Sequence, residues 1–444
     1  MNKITLLFIS CMVFFSLSVS AVSPSGSLPV LHIETENHQA ITDKETYMQA
    51  TYWLDPLNTC VEAIGSQQSP LPLQIKGRGN WTWSGFEKKP YRIKLEKKAE
   101  LLGLKANKHF ALLAHADDNH GFLRNTVGFW LSEQLAMPWT PKQQPIELIL
   151  NGDYVGIYFL TELIRVDKDR VNITEQPDLC THSDSITGGW LVEIDNYDTD
   201  PHIQITEGDG ERIIFTYKSP EVLSNVQEQF LRDEMNRINT LVYGDKNSDE
   251  LWSYLDIDDL ARFFIVQELT DNYESFHGSC YLYRDMGSAQ KWHFGPVWDF
   301  GSAFNYDKNR PFYEGREHHN TWAPQLAQFP AFRQRVKGIW SELYYGNYEQ
   351  VYTFTSDFVQ DITAAANKDA ERWQNKGYGN SDIQSDLTEV QRRLQQAAQW
   401  MNDTYGLAEE LPCVVLKTED SPRKILTTEG ELRIIRNGKV YRIF

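Results

Sequence analysis

The chain is short of cysteine, of long apolar runs and of positive charge, and each shortage excludes something. Five cysteines occur in 444 residues. None forms a C-x-x-C pair, so no zinc-type or dithiol redox motif is present. After the N-terminal run, no stretch reaches the roughly 20 apolar residues that a membrane helix needs. Lys and Arg number 43 against 61 Asp and Glu, a net charge of −18. General nucleic-acid binding needs a basic face that releases phosphate counterions, so that function is excluded, although a local basic pocket is not. Internal repeats and low-complexity tracts are also missing.

What is present fits a well-packed globular protein: 13 Trp, 21 Tyr and 22 Phe. Lys3, the apolar run from Ile4 to Val19 and then Ser20-Ala21 read as a secretory signal peptide over residues 1–21, cleaved after Ala21. Cys11 lies inside the run and keeps a lipoprotein reading open. The mature chain is expected to be exported: periplasmic, secreted or associated with the cell surface. In such a compartment Cys60, Cys180, Cys280 and Cys413 allow three disulfide pairings, and buried free thiols suit the sequence equally well.

A linker at 22–28 leads into alternating apolar residues (Val30, Leu31, Ile33). A basic block follows, running from LQIKGRGNWTW through KKPYRIKLEKK. Leu73 and Ile75 alternate as in a strand, as do Tyr91, Ile93 and Leu95, with Gly77, Gly79 and Gly85 in the loop between. Alternation sends Arg92 and Lys94 to the face opposite the apolar set. A glycine-bearing loop with cations on the adjoining strand suits a phosphate. A solvated hairpin face is the competing explanation. A helix is expected from Gly121 to Leu135. A hairpin turning at Asn151-Gly152 then ends its second strand at Glu162. Further strands are expected at WLVEIDNY and ERIIFTYK, and helices at Asn225–Val242 and Leu255–Leu269, the second capped by Asp256 or Asp258. A hairpin around Cys280–Phe294 brings Asp271, Glu274 and Asp299 to its ends. Three more helices follow, the last with an apolar face of Leu387, Val390, Leu394, Ala397 and Met401. The tail alternates as a small β-meander or hairpin.

Asp299 stands in HFGPVWDFGSAF, an acid among apolar and small residues. Such a carboxylate must be hydrogen-bonded or metal-bound.

Taken together, KGRGNWTW, KKPYRIKL, KHFALLAHADD, FLRN, LILNGDYVGIYFLTELI, WLVEID, QELTDNYESF, YLYRD and GPVWDFGSAF, in this order, resemble the CotH kinase family over roughly residues 30 to 405. The resemblance implies an α+β, atypical protein-kinase-like fold over residues 22–412, with a β-rich N-lobe and a helical C-lobe; the small β-hairpin tail over 413–444 separately resembles C-terminal appendages of secreted bacterial proteins, some of them sorting or anchoring signals, and suits a hairpin packed on the domain equally well. The family resemblance implies phosphate transfer from ATP to protein hydroxyls with magnesium. Arg78 and Lys94 would bind the nucleotide, as would Glu162, for which pairing with a cation or a solvent-facing strand-end acid is an equal reading; Glu274 and Asp299 would be catalytic and hold the metal. Two acids depart from the family pattern. Glu274 stands where an N-x-D aspartate is usual, and Gly301 where WDFD or WDLD has its second aspartate. Trp81 replaces the serine of RGNS. The altered acids support a second reading, a catalytically weakened pseudokinase acting as a binding scaffold. Trp81 and Trp83 raise a third, carbohydrate binding. The protein substrate is not specified by the sequence.

Overall fold

The computed structural model describes residues 22–206, 212–287, 289–315, 318, 321–376 and 382–407, with the backbone of three short strands between 423 and 442. The expected signal peptide, Cys413 and the 412/413 boundary lie outside the described residues.

The first half is a β-barrel. Its strands are β1 (Val30–Thr35), β2 (Met48–Asp55), β3 (Leu71–Gly77), β4 (Tyr91–Leu101), β5 (Leu104–Leu113), β6 (Gln143–Leu150) and β7 (Asp153–Glu162), closed in the order β1-β2-β3-β4-β5-β7-β6. Each pair is antiparallel except β1 with β6. Alternation decides what faces in: Leu73, Ile75, Tyr91, Ile93 and Leu95 fill the barrel core with Phe110, Leu112 and Leu160, while Arg92 and Lys94 between them are half-buried outside. The β6–β7 turn is made at Asn151 and Gly152, with φ of 53° and 79°, the conformation a two-residue hairpin turn requires. The β3–β4 connection holds a short helix, α1 (Trp81–Gly85), where a plain glycine loop was expected. Trp83 packs so closely on Gly77 that a Cβ there would sit 2.4 Å from its ring. Trp83 is thus a packing residue, which removes it from the carbohydrate-binding reading. Trp81 is 65% exposed.

Helix α2 (Leu123–Gln134) leads from β5 to β6. The second half carries a five-stranded sheet, β12-β11-β8-β10-β9, made of β8 (Trp190–Asp195), β9 (His202–Thr206), β10 (Arg212–Ser219), β11 (Cys280–Arg284) and β12 (His293–Phe294). Around it lie α3 (Asn225–Val242), α4 (Ile257–Thr270), α5 (Ala323–Leu326), α6 (Pro330–Gly346), α7 (Gln350–Trp373) and α8 (Ile383–Tyr405). Ser224 and Gln227 form a capping box on α3. Asp256, not Asp258, caps α4, accepting from the Asp258 and Asp259 N–H groups. On α8, Val390, Leu394, Ala397 and Met401 are buried as their spacing predicts. The α+β class stands, but a closed barrel is not by itself a kinase N-lobe. The tail is a three-stranded antiparallel sheet, β13 (Arg423–Leu426), β14 (Leu432–Arg436) and β15 (Lys439–Arg442), a meander rather than a hairpin. Cys60 is an exposed free thiol, and Cys180 and Cys280 are buried free thiols.

Barrel and helices are joined by a buried ion pair. Lys88 and Asp369 of α7 are 1% and 0% exposed and 2.7 Å apart. Asp369 also accepts from the Ile157 N–H at 3.0 Å. Gly156, at φ 105°, leaves the room: a Cβ would lie 2.0 Å from the carboxylate. Arg372 and Trp373 add hydrogen bonds to the Tyr154 and Val155 carbonyls. Removing one partner of a buried pair strands the other charge, at a cost of roughly 3–5 kcal/mol, whereas an apolar replacement of both can be neutral. Asp369→Ala should therefore lower urea-denaturation stability by about that amount, and Lys88→Met/Asp369→Leu should recover most of it.

Candidate active site

A cleft of about 440 Å³ opens where the barrel rim meets the second sheet. The barrel contributes Arg78 after β3, Pro90 before β4 and Leu113 at the end of β5. Asp117, Asp118, Arg124 and Asn125 come from the connection into α2 and its first turn. Glu193 and Asp195 come from β8, Lys218 from β10, Tyr281 from β11, and Glu274 with Trp298, Asp299, Gly301 and Ser302 from the two loops that the sequence brought together.

Arg124 and Asn125 set the geometry. The Arg124 guanidinium donates to the carbonyls of Asp117 (3.3 Å) and Gly301 (2.6 Å) and to the Asn119 and Asn305 side chains. The Asn125 amide oxygen accepts from the Phe300 N–H at 3.1 Å. Across the loop, Asn272 donates to the Asp299 carbonyl and accepts from Ser302 Oγ, which in turn accepts from the Glu274 N–H. Asp299 itself is left-handed, with φ of 56°, a region that Asp tolerates better than most residues. Its Oδ1 accepts from the Gly301 N–H at 3.2 Å.

Seven acids line the cleft (Asp117, Asp118, Glu193, Asp195, Asp200, Glu274, Asp299) against three cations, Arg78, Arg124 and Lys218, so the cleft is electrically unbalanced. Arg124 is committed to neutral oxygens. Lys218 pairs with Glu193 at 3.0 Å and Asp200 at 3.2 Å. Burial, with Asp299, Asp117 and Asp195 nearby, pushes the Glu274 carboxyl up to about 8. Glu193 is pushed up to about 7, chiefly by burial and against the pull of Lys218. Asp117 is raised by burial, with Asp118 and Asp299 adding to it. His115 is driven down to about 4 by burial, so its imidazole is neutral at pH 7. Arg78 has no hydrogen-bonded side-chain partner among the described residues, and its guanidinium lies 5.7 Å from the Trp298 ring.

The structure brings three of the five expected site residues together: Arg78, Glu274 and Asp299. Lys94 and Glu162 are not among the residues lining the cleft. Lys94 lies four residues beyond Pro90, out along β4, its ammonium 5.9 Å from the Tyr47 ring. Glu162 is 1% exposed and accepts from the Lys142 N–H at 3.1 Å; burial raises its carboxyl. Asp271 does not reach Glu274's site, because it binds Lys308 at 3.0 Å together with Glu268. Asp307 is tied to Arg392 at 2.7 Å and does not stand in for Gly301. Asp117, Glu193, Asp195 and Lys218 were not singled out from the sequence. The signal for the three acids was there, since HADD and VEID each carry a pair of acids in a motif of the resemblance; Lys218 lies in none of those motifs.

An all-carboxylate donor set is the hard-oxygen chemistry that magnesium takes, commonly through one or two carboxylates with water and phosphate completing the shell. Burial, first, and then the charges of Asp299 and Asp117 raise the Glu274 carboxyl, and a divalent cation would offset the second of these. Asp299, Glu274 and Asp117 supply the donor type magnesium takes, but their ligand atoms do not all lie within 4.8 Å of one another as they stand. A tighter cluster lies elsewhere, where Asp256, Asp259 and His293 bring ligand atoms within 4.8 Å. There Asp256 caps α4 and Asp259 already binds Arg262 and His293, both at 2.7 Å.

The fold and cleft define a mixed α+β protein with a carboxylate-lined site between a barrel and a sheet. The sequence pattern of the CotH kinase proteins matches residues 75–404, well over half of the chain, and the chain belongs to the CotH kinase family. No curated protein matches it.

The Glu274 shift has a pH signature. The folded chain holds this proton up to about 8, against an ordinary value of 4.5. Folding takes up a proton between those limits, so the stability it contributes at low pH is lost as pH rises through 8. Glu274→Gln should gain melting temperature relative to the unaltered protein between pH 5 and pH 9, by a few degrees. A constant difference across that range would contradict the assignment.

Proposed function

We propose that this exported protein binds ATP with magnesium at the acid-lined cleft and transfers a phosphoryl group to protein hydroxyls. The observation that carries the reading is the meeting of Asp299, Glu274 and Arg78 in one cleft, from three separated motifs of the family. Asp299 and Asp117 hold the metal, which when bound neutralises charge on the phosphates. Arg78, a cation without a hydrogen-bonded side-chain partner, pairs with phosphate oxygens. Glu274 accepts the proton of the attacking hydroxyl, a role open only to its ionised form. With its carboxyl held up to about 8, that form is scarce at pH 7 until positive charge arrives beside it. Lys94 supports the phosphates from outside the cleft. Glu162, buried behind the Lys142 amide, acts on no substrate atom and only shapes the strand end.

Two features favour a slow enzyme, and with it the reading of a weakened kinase that binds a partner. Glu274 is one methylene longer than aspartate, and an error of about 1 Å in placing a catalytic group costs on the order of 100-fold. Gly301 supplies no carboxylate. Its Cβ direction points at Asp299, with 3.2 Å from an ideal Cβ to Oδ1, and its φ is not in the left-handed region. An aspartate there needs no left-handed backbone, but the Asp299 carboxylate would have to shift by a few tenths of an ångström to admit it.

Magnesium-ATP should raise the melting temperature of the purified chain, and Asp299→Ala should abolish that rise. Glu274→Asp/Gly301→Asp should increase autophosphorylation by about 100-fold. ATP binding without turnover in both proteins would favour the scaffold, and no ATP-induced shift at all would sink the nucleotide reading.

A further inference from the structure

The outer face of β3, β4 and β5 holds an anomaly that the cleft does not use. Register places Lys76 opposite Arg92, and Lys94 between Gln74 and His109. Alternate residues on a strand lie about 6.6 Å apart on one face, so Arg92 and Lys94 continue outward from Pro90, which lines the cleft. Arg165, from the segment after β7, completes the group. All four cations are half-buried. In a chain of net charge −18, none of the four comes within ion-pair distance of a carboxylate among the described residues. Lys76 reaches only the Glu45 carbonyl, at 3.3 Å, though it feels the more distant Asp43. The Tyr47 ring lies 5.1 Å from the Lys76 ammonium and 5.9 Å from that of Lys94.

Among the described residues, three polar atoms here are buried without a hydrogen-bond partner: Tyr47 Oη, Arg92 Nε and His109 Nδ1. The His109 imidazole is held down to about 3, first by burial and then by Arg165, Arg92, Lys94 and Arg170, all cations. Half-buried charge of one sign, with orphaned donors beside it, is costly unless something of opposite charge satisfies it. The oxygens of a polyanion would do so, and guanidinium groups bind phosphoryl oxygens in paired contacts.

We propose that Lys76, Arg92, Lys94 and Arg165, with the Tyr47 hydroxyl, form a phosphate-binding face on the outside of the barrel, along which a polyphosphate chain runs to Arg78 at the cleft rim. The inference deepens the nucleotide reading by adding Lys76, Arg92, Arg165 and Tyr47 as phosphate ligands. The phosphoryl groups have two sources, a nucleotide tail and free inorganic polyphosphate.

Titration calorimetry on the mature chain, with inorganic tripolyphosphate and with ATP, tests it. Tripolyphosphate should bind, more weakly as salt rises. Arg92→Glu/Arg165→Glu should lose at least tenfold in affinity, while Lys97→Glu/Lys98→Glu, an equal charge change at exposed positions of β4, should bind as the unaltered chain does. If the first variant fails to fold, Lys76→Gln/Lys94→Gln should still show a severalfold loss. Tripolyphosphate bound without ATP would leave this face standing and remove the nucleotide reading. Unchanged affinities in the folded face variants, or no binding of tripolyphosphate to the unaltered chain, would overturn the proposal, and retained ATP binding would then leave the nucleotide reading intact.

Discussion

The grip of Arg124 and Asn125 on the 299–305 loop is the constraint on which the site depends. Two consecutive residues at the start of α2 reach oxygens of Asp117, Asn119, Gly301 and Asn305 and the N–H of Phe300. Asp117 and Asn119 lie more than 180 residues from Phe300, Gly301 and Asn305 in the chain, yet all five share one set of donors and acceptors. Without that grip, Asp117 and Asp299 would separate, since like charges have no reason of their own to stay close. The carboxylates are thus held together by neutral hydrogen bonds, and beside them burial, with Asp299 and Asp117 adding to it, raises the Glu274 carboxyl.

The charge of the molecule is sorted rather than mixed. Acids gather in the cleft and unpaired cations on the barrel face beside it, with Arg78 where the two meet. Such a boundary suits a ligand that is itself polar in charge, anionic along its length and cation-bearing at its reacting end.

Much of this was legible in the chain. Period-two alternation separated Arg92 and Lys94 from Tyr91, Ile93 and Leu95, and the three helices after Phe329 lie where the apolar spacing put them. Asn151-Gly152 gave the hairpin. Barrel closure was not legible, because the pairing of β1 with β6 joins residues more than a hundred positions apart and no local pattern encodes it. The distance of Lys94 from Asp299 was hidden for the same reason: strand direction relative to the cleft is a tertiary fact. Lys88 read as one more member of a basic block, and its partner Asp369 is nearly 300 residues away. In the cleft, the acids found first were those in unusual settings, Asp299 among aromatics and Glu274 in place of an aspartate. Asp117 and Asp195 sit in ordinary-looking acidic pairs and needed the fold to select them.

The Lys88–Asp369 pair bears on motion as well as on stability. It sits five residues after Trp83 and clamps the exit of the α1 connection to α7, while Gly156 and the Arg372 and Trp373 contacts fasten the same helix to β7. A barrel bolted to its helices in this way does not rock about the cleft as two rigid halves. The arc from Arg78 to Thr82 that edges the cleft on the barrel side, with exposed Trp81 in it, is carried on this fixed wall, since Trp83 packs against Gly77.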